Sequence, residues 1–428
     1  MIKKIIFGAA LLAVSNSFAQ QGTASPYSFY GFGEKHFKGS NEIKSMGALA
    51  MFSDSLHINT LNPASYSDLQ STTFSLGASY KGNTLNNNLA TEKTSSGSFD
   101  YLNIAFPAGK FAVAAGIMPY SFVGYNIQNT HTVNGITEAR QYVGEGGLNR
   151  TFVGLSYKIN KNFNIGIDAA YLFGDTETNL TIFGIDNGEG LPLTRGSRMR
   201  NQNYYSGFAI NAGLNYKQPL SKNLTLFAGA TFSPEMELKN DLTHTLATVE
   251  LNSKGELTEI DSKVTNSEGE KLLLPTNYSF GLGLGNHLKW FVGAEYTATQ
   301  TSKYNEYYKY DNATYNDYFK VGIGGFFTPK HQSITSYFER ITYRAGVNYE
   351  DTGLIINNKA IKGYNANIGI GLPVPFSLSQ SYHNSNINIG FEYGQRGNTN
   401  MGLIKENYYG ITIGLSFNDI WFKRRRFN

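Results

Sequence analysis

The tightest constraint in this sequence is a two-residue period. Phe163, Ile165, Ile167, Ala169, Tyr171 and Phe173 alternate with Asn164, Gly166, Asp168 and Ala170, and Tyr409, Ile411, Ile413, Leu415 and Phe417 alternate with Gly410, Thr412, Gly414 and Ser416. Strands turn successive side chains to opposite faces, so each such segment has one apolar face and one face of Gly, Asn and Thr. The segments run to about 9–11 residues, the length of a tilted strand crossing a bilayer, against about five or six in soluble sheets. A soluble antiparallel sandwich also alternates. Aromatic residues near segment ends, as at Tyr278 and Phe280, Trp290 and Tyr296, or Tyr343 and Tyr349, match the interfacial girdles of a membrane barrel instead.

Fourteen such segments are predicted, near 71–81, 98–107, 110–119, 147–159, 163–174, 204–218, 223–238, 276–286, 289–300, 317–327, 341–350, 363–372, 386–394 and 407–418. Dividing 223–255 and 300–320 differently gives twelve or sixteen. Short turns at 107–109, 160–162 and 218–222 alternate with long polar stretches at 120–146, 175–203 and 239–275, read as loops. Short periplasmic turns and long extracellular loops are the pattern of outer-membrane barrels, and the sheet must close because an open edge in hydrocarbon leaves backbone groups unpaired. The predicted fold is therefore all-β, a closed antiparallel transmembrane barrel over residues 71–418. Connections 328–340 and 373–385 are long for the short-turn side and offer surface for packing beneath the barrel or for a partner.

Composition narrows the function classes. With 16% charged residues, 46 Gly, 29 Tyr, 29 Phe and no Cys among 428 residues, the chain is poor in charge and rich in Gly and aromatics. The lack of Cys excludes disulfide scaffolds, thiolate metal centres, thiol catalysis and an acylated lipoprotein N-terminus. The net charge of +4 makes no case for nucleic acid. Lys3 and Lys4 precede an apolar run at 5–14 and the small-residue site Ser17-Phe18-Ala19, an export signal expected over 1–19 with cleavage after Ala19. That run is too short to span a bilayer as a helix.

Residues 20–70 lack alternation yet carry Tyr27, Phe29, Tyr30, Phe32, Met46, Leu49, Met51 and Phe52, more apolar surface than a disordered tail holds. They are the candidate plug. Glycines on the inward parity, such as Gly166, Gly213, Gly229, Gly322 and Gly346, either relieve curvature in the wall or leave room for that plug. Within the stretch, Asn62, Pro63 and Ala64 precede the strand Thr73-Phe74-Ser75-Leu76-Gly77-Ala78-Ser79-Tyr80. Pro63 fixes φ and confines Asn62 to extended geometry, where its side chain can bond nearby backbone as in a turn.

This arrangement resembles the FadL family of outer-membrane transporters for hydrophobic compounds, in which an N-terminal hatch ending in an Asn-Pro-Ala element precedes the first of fourteen strands. The resemblance covers the mature chain in architecture and residues 45–80 in motif. It implies passive uptake of a hydrophobic small molecule, such as a long-chain fatty acid or aromatic hydrocarbon, with hatch movement at Asn62, Pro63 and Ala64. It also implies lateral exit at a kink in the third strand, where Pro119 and Tyr120 stand; the plainer reading of Pro119 is a proline that ends its strand. The tail at 419–428, Asp419-Ile420-Trp421-Phe422-Lys423-Arg424-Arg425-Arg426-Phe427-Asn428, is similar to that of FadL-like barrels in Bacteroidota and suits an interfacial anchor. PorV-like relatives there suggest the alternative, an accessory or shuttle barrel in a larger outer-membrane protein secretion or assembly machine.

Asp168, Glu295, Lys320, Arg344 and Glu392 fall on the inward parity and are expected to form lumen ion pairs or touch the plug, with ligand contact as their other role. No catalytic constellation competes. The seven His are scattered without HExxH spacing, and Gly281-Leu282-Gly283-Leu284-Gly285 lies within a strand without the helix a phosphate loop needs. The chain is read as a non-enzyme without cofactor or metal, with lipid and a small apolar ligand as its partners.

Overall fold

The computed structural model describes residues 22–133, 136–185, 192–252, 256–286, 289–331, 333–374 and 385–419. The export signal at 1–19, the tail beyond Asp419 and most of the 373–385 connection lie outside the described residues. A two-residue strand β1 (Glu34–Lys35) and a short helix α1 (Asn41–Ser45) come first. The strands that follow are β2 (Thr72–Asn86), β3 (Thr91–Ala108), β4 (Phe111–Val133), β5 (Ile136–Lys158), β6 (Phe163–Ile185), β7 (Pro192–Ser221), β8 (Leu224–Ser233), β9 (Met236–Leu251) and β10 (Leu257–Leu274). Next are β11 (Asn277–Asn286), β12 (Trp290–Thr299), β13 (Ala313–Tyr315), β14 (Tyr318–Phe327), β15 (Thr342–Ile356), β16 (Lys359–Val374), β17 (Ser385–Arg396) and β18 (Lys405–Asp419).

Fourteen of these build the wall, namely β2 to β8, β11, β12 and β14 to β18, each antiparallel to its neighbours. Closure comes from β18 against β2, paired from Lys405 opposite Asn86 to Asp419 opposite Thr72. Because every unsatisfied backbone group in hydrocarbon costs several kcal/mol, this last ladder is what lets the sheet live in lipid.

The alternation sorts as the sequence predicts. Leu282 and Ile368 are 63% and 60% exposed, and Val153, Ile167, Phe208 and Ile413 share their outward parity, whereas Asn103, Asp168 and Asn367 between such positions are buried. A belt of large exposed apolar side chains of this extent needs lipid around it. Ring pairs Phe111 with Tyr157 and Phe163 with Tyr216, centroids 4.7 and 4.5 Å apart, mark the belt's limit at the short-turn end.

Three stretches read as loops are strands. β4 with β5 and β6 with β7 run on beyond the belt as tall hairpins, paired out to Val133 opposite Ile136 and Ile185 opposite Pro192. The third, 239–275, is largely the hairpin of β9 and β10, set into the connection between β8 and β11, which pair directly below it. β7 accordingly pairs with β8 near its end and with β9 over its upper half. Above the belt, polar residues such as Thr176, Glu177 and Thr178 occupy both parities, so the two-residue signal vanishes while the ladder persists. The segment predicted at 223–238 likewise divides at Pro234, between β8 and β9.

Candidate functional site

Residues 22–71 reach wall strands on every side. Tyr66 donates to Asp168 on β6 (3.1 Å), Asn62 donates to Asn215 on β7 (2.7 Å) and Glu295 on β12 accepts from the Met51 backbone N–H (3.1 Å). Lys44 pairs with Glu392 on β17 (2.7 Å), the Asn41 backbone N–H donates to Tyr101 on β3 (3.2 Å), and β1 pairs with β4. A segment that touches strands all around a closed barrel occupies its lumen. The inward glycines make room for it: a Cβ at Gly166 would collide with Pro63 backbone, one at Gly213 with the Asn62 side chain, one at Gly229 with Met51 and one at Gly322 with Gly47.

Local chemistry sets the chain's course there. Asn62 holds the extended geometry expected before proline (φ −129°, ψ 106°), and its side chain accepts from the Ala64 N–H (3.0 Å), capping a 3₁₀ turn over Pro63–Asp68. The same side chain donates to the Leu214 carbonyl (3.2 Å), so one residue both shapes the turn and fastens it to β7. At the end of that turn Asp68 pairs with Lys217 (2.8 Å) and Lys158 (3.2 Å). Burial alone would raise the Asp68 carboxyl, but the Lys217 ammonium draws it down to about 2.

Of the five inward charges, Asp168, Glu295 and Glu392 bond residues 22–71 directly as described, and Asp168 also pairs with Arg150 (3.4 Å). Arg344 donates to Asn388 (2.9 Å), which in turn donates to Glu42 (2.6 Å). Lys320 lines the cavity described below, beside Glu350. A further charge cluster has no signal in the sequence: Arg396 donates to Glu34 (2.6 Å) and pairs with Glu406 (3.0 Å), and Lys81 also faces Glu34 (3.4 Å). Glu34 and Arg396 are 362 residues apart, so no local pattern announces their meeting.

A seam interrupts the wall. The β3–β4 ladder runs from Ala108 opposite Phe111 only to Leu102 opposite Ile117, while β2–β3 continues to Asn86 opposite Thr91. Pro119 stands just past the break, where its missing N–H forfeits a ladder bond. Tyr120 is the extra residue of a bulge between Pro119 opposite Asn149 and Ser121 opposite Leu148. Pro119 therefore does not end its strand, which runs on to Val133. Residues from the lumen fill the break: β1 pairs with Ser121 and Phe122, the His36 N–H donates to the Tyr120 carbonyl (2.9 Å), and the His36 ring reaches Asp100 on β3 (3.3 Å).

Behind the seam lies a cavity of about 490 Å³ lined by Lys35, Lys38, Glu350, Arg396, Thr412 and Tyr304 among others. Rings line it next to the seam: Phe32 stacks on Tyr120 at 5.9 Å, and Phe32 meets Tyr304 at 5.8 Å, Tyr304 meets Tyr315 at 5.3 Å and Tyr30 meets Tyr310 at 5.2 Å, these three edge to face. On the opposite side of residues 22–71, His57 Nδ1 sits 2.7 Å from Asp54. Burial alone would lower the His57 pKa and raise that of Asp54. Their mutual attraction, with the Leu56 and His57 N–H groups on Asp54, overrides both and moves each the other way.

The family model described as BamG matches residues 1–428. No curated protein matches the chain. Among solved structures, the toluene transporter TodX of P. putida superposes with a TM-score of 0.60 at 14% identity, over 90% of this chain and all of that one (100%). A FadL homologue of Pseudomonas aeruginosa gives 0.56 at 14% identity over 88% and 97%, and the monoaromatic hydrocarbon channel CymD gives 0.54 at 11% over 91% and 100%. The likeness is one of fold, that of FadL-like outer-membrane barrels.

Proposed function

This chain belongs to the BamG family, and from that premise we propose that it is an exported outer-membrane barrel serving as an accessory subunit of a protein-assembly or secretion machine. The observation that carries this reading is the charged fastening of residues 22–71. Arg396 of the wall holds Glu34 of the segment and Glu406 of the last strand, and Lys44–Glu392 and Asp68–Lys217 repeat the device elsewhere. An apolar solute crossing this lumen would have to break these partly buried ion pairs and strip water from the charges left behind, which opposes its passage. A filled, fastened barrel instead offers protein-binding surface on both sides of the membrane.

Affinity isolation of the tagged full-length chain from native membranes tests the proposal. A fixed stoichiometric complex with other outer-membrane proteins is expected; a chain that leaves the column alone with a bound amphiphile overturns it.

One observation favours a second reading. The seam beside Pro119 and Tyr120 lies where a ligand leaving the cavity would meet lipid, and the Asn62-Pro63-Ala64 turn anchors the segment that fills the way. On this reading the barrel passively admits a hydrophobic small molecule; TodX is described as a toluene transporter and CymD as a monoaromatic hydrocarbon channel. Mass spectrometry of small molecules extracted with the purified barrel separates the two.

A further inference from the structure

The β9–β10 hairpin ends the extramembrane sheet on one side. Among the described residues β10 has ladder partners on β9 alone, from Leu257 opposite Leu251 to Leu274 opposite Met236. Its last three residues, Leu272, Leu273 and Leu274, are buried, but residues 258–266 are exposed on both faces. An edge strand presents a row of free N–H and C=O groups, and proteins usually blunt such edges with brevity, proline, charge or bulges. Here the ladder shifts register between Glu259 and Asp261 and again between Ser267 and Glu270. Between the shifts residues 261–267 run unbroken, without proline or glycine, opposite 248–242 of β9. That straight stretch is long enough to hold a partner strand.

The charges around it choose among strands. Glu256, Glu259, Asp261, Glu268 and Glu270 outnumber Lys263 and Lys271 between residues 256 and 271. Arg198 and Arg200 of β7 answer Glu259, at 3.4 and 2.8 Å, and Lys271 is held by Glu237. Asp261, Glu268 and Glu270 stay at the rim, with Asp261 at one end of the straight stretch and the two glutamates beyond the other. A second copy would set the same acidic rim against itself, which cross-strand pairing disfavours. A strand carrying Lys or Arg finds complementary charge at both ends and backbone partners between them.

We infer that the outer edge of β10 is a docking site for an extended, basic polypeptide segment of another protein, which adds to the sheet as a further strand. This surface is remote from the lumen, and the inference is independent of the role proposed for the barrel as a whole.

Backbone amide hydrogen exchange on the full-length barrel in detergent tests it, with a short synthetic peptide alternating lysine with valine as the probe and its glutamate counterpart as control. The lysine peptide is expected to slow exchange within 261–267 by about tenfold, the effect of a hydrogen bond's worth of protection, and the glutamate peptide to leave it unchanged. Asp261→Lys combined with Glu268→Lys, two exposed changes that leave the β9 ladder intact, should reverse the preference. Equal protection by both peptides, or none by either, overturns the inference. Loss of co-isolating proteins in native membranes would sink the accessory reading while leaving this exchange result standing.

Discussion

Arg396 shows how single residues fasten the N-terminal segment to the wall. Its guanidinium serves two carboxylates at once, Glu34 on the inserted segment and Glu406 on the wall, and Glu406 is fully buried. Arg396→Ala leaves both anions without their main cation, so chemical unfolding in detergent should show a loss of about 3–5 kcal/mol, with faster protease nicking within 22–71. Arg396→Lys should recover only part of this, since an ammonium lacks the planar fork; full recovery would refute the forked geometry. The His57–Asp54 pair makes its own contribution pH-dependent. His57 is raised above its usual 6.5, so its stabilisation is complete below that value and is lost as pH rises through the higher folded value. Asp54 is depressed below its usual 3.8, so its share is present above that value and disappears as pH falls through the lower folded one. Anchoring of residues 54–57 should thus be firmest at acidic pH between the two ordinary values, 3.8 and 6.5. An NMR titration of the His57 ring checks this, and an apparent pKa at or below 6.5 contradicts it. The parity of Asp168, Glu295 and Glu392 was legible in the sequence because the strand period alone places them inward. Their partners were not, since contacts such as Glu295 with Met51, 244 residues apart, depend on how the closed wall curves round the segment.

At the scale of elements, the period-2 signal found every wall strand, and its failures have one cause. It reports a contrast between lipid and lumen, and where a ladder leaves the membrane that contrast ends while the hydrogen bonding goes on, so the signal stops short on β4 to β7 and is largely missing from β9 and β10. The seam was half legible. Pro119 marked the place, but the continuation of β4 beyond it and the insertion of β1 follow from lumen packing that no local pattern encodes. Because β8 and β11 pair directly from Thr225 opposite Gly285 to Ser233 opposite Asn277, the β9–β10 hairpin is an addition to the barrel and not part of its ring. Replacing residues 236–274 by a short polar turn should leave a closed barrel that still migrates as a compact, heat-modifiable band on cold gel electrophoresis; loss of that band would make the hairpin a structural member of the wall.

For the whole molecule, the direction of the apolar face follows from sequence, since it comes from a pattern repeated along the chain; the count is legible as fourteen, with twelve and sixteen left open by where 223–255 and 300–320 divide. The filling of the lumen is legible only as an apolar stretch without periodicity at 20–70. The structure adds the fastening, and with it the expectation that this is a closed body. Planar bilayer recordings of the full chain should show no steady conductance, whereas removal of residues 22–70 should give large, persistent steps; an intact chain that conducts freely would contradict the fastening described.

The join between β18 and β2 also sets an order of construction. The ring is sealed by its last strand meeting its first, and the residues that fill the hole come directly before that first strand. The filling precedes in the chain everything it fits into, yet the vessel cannot be shut until the final stretch is in place. Loss of β18 would therefore leave β2 and β17 as open edges in lipid, with the filling still in place upstream of β2.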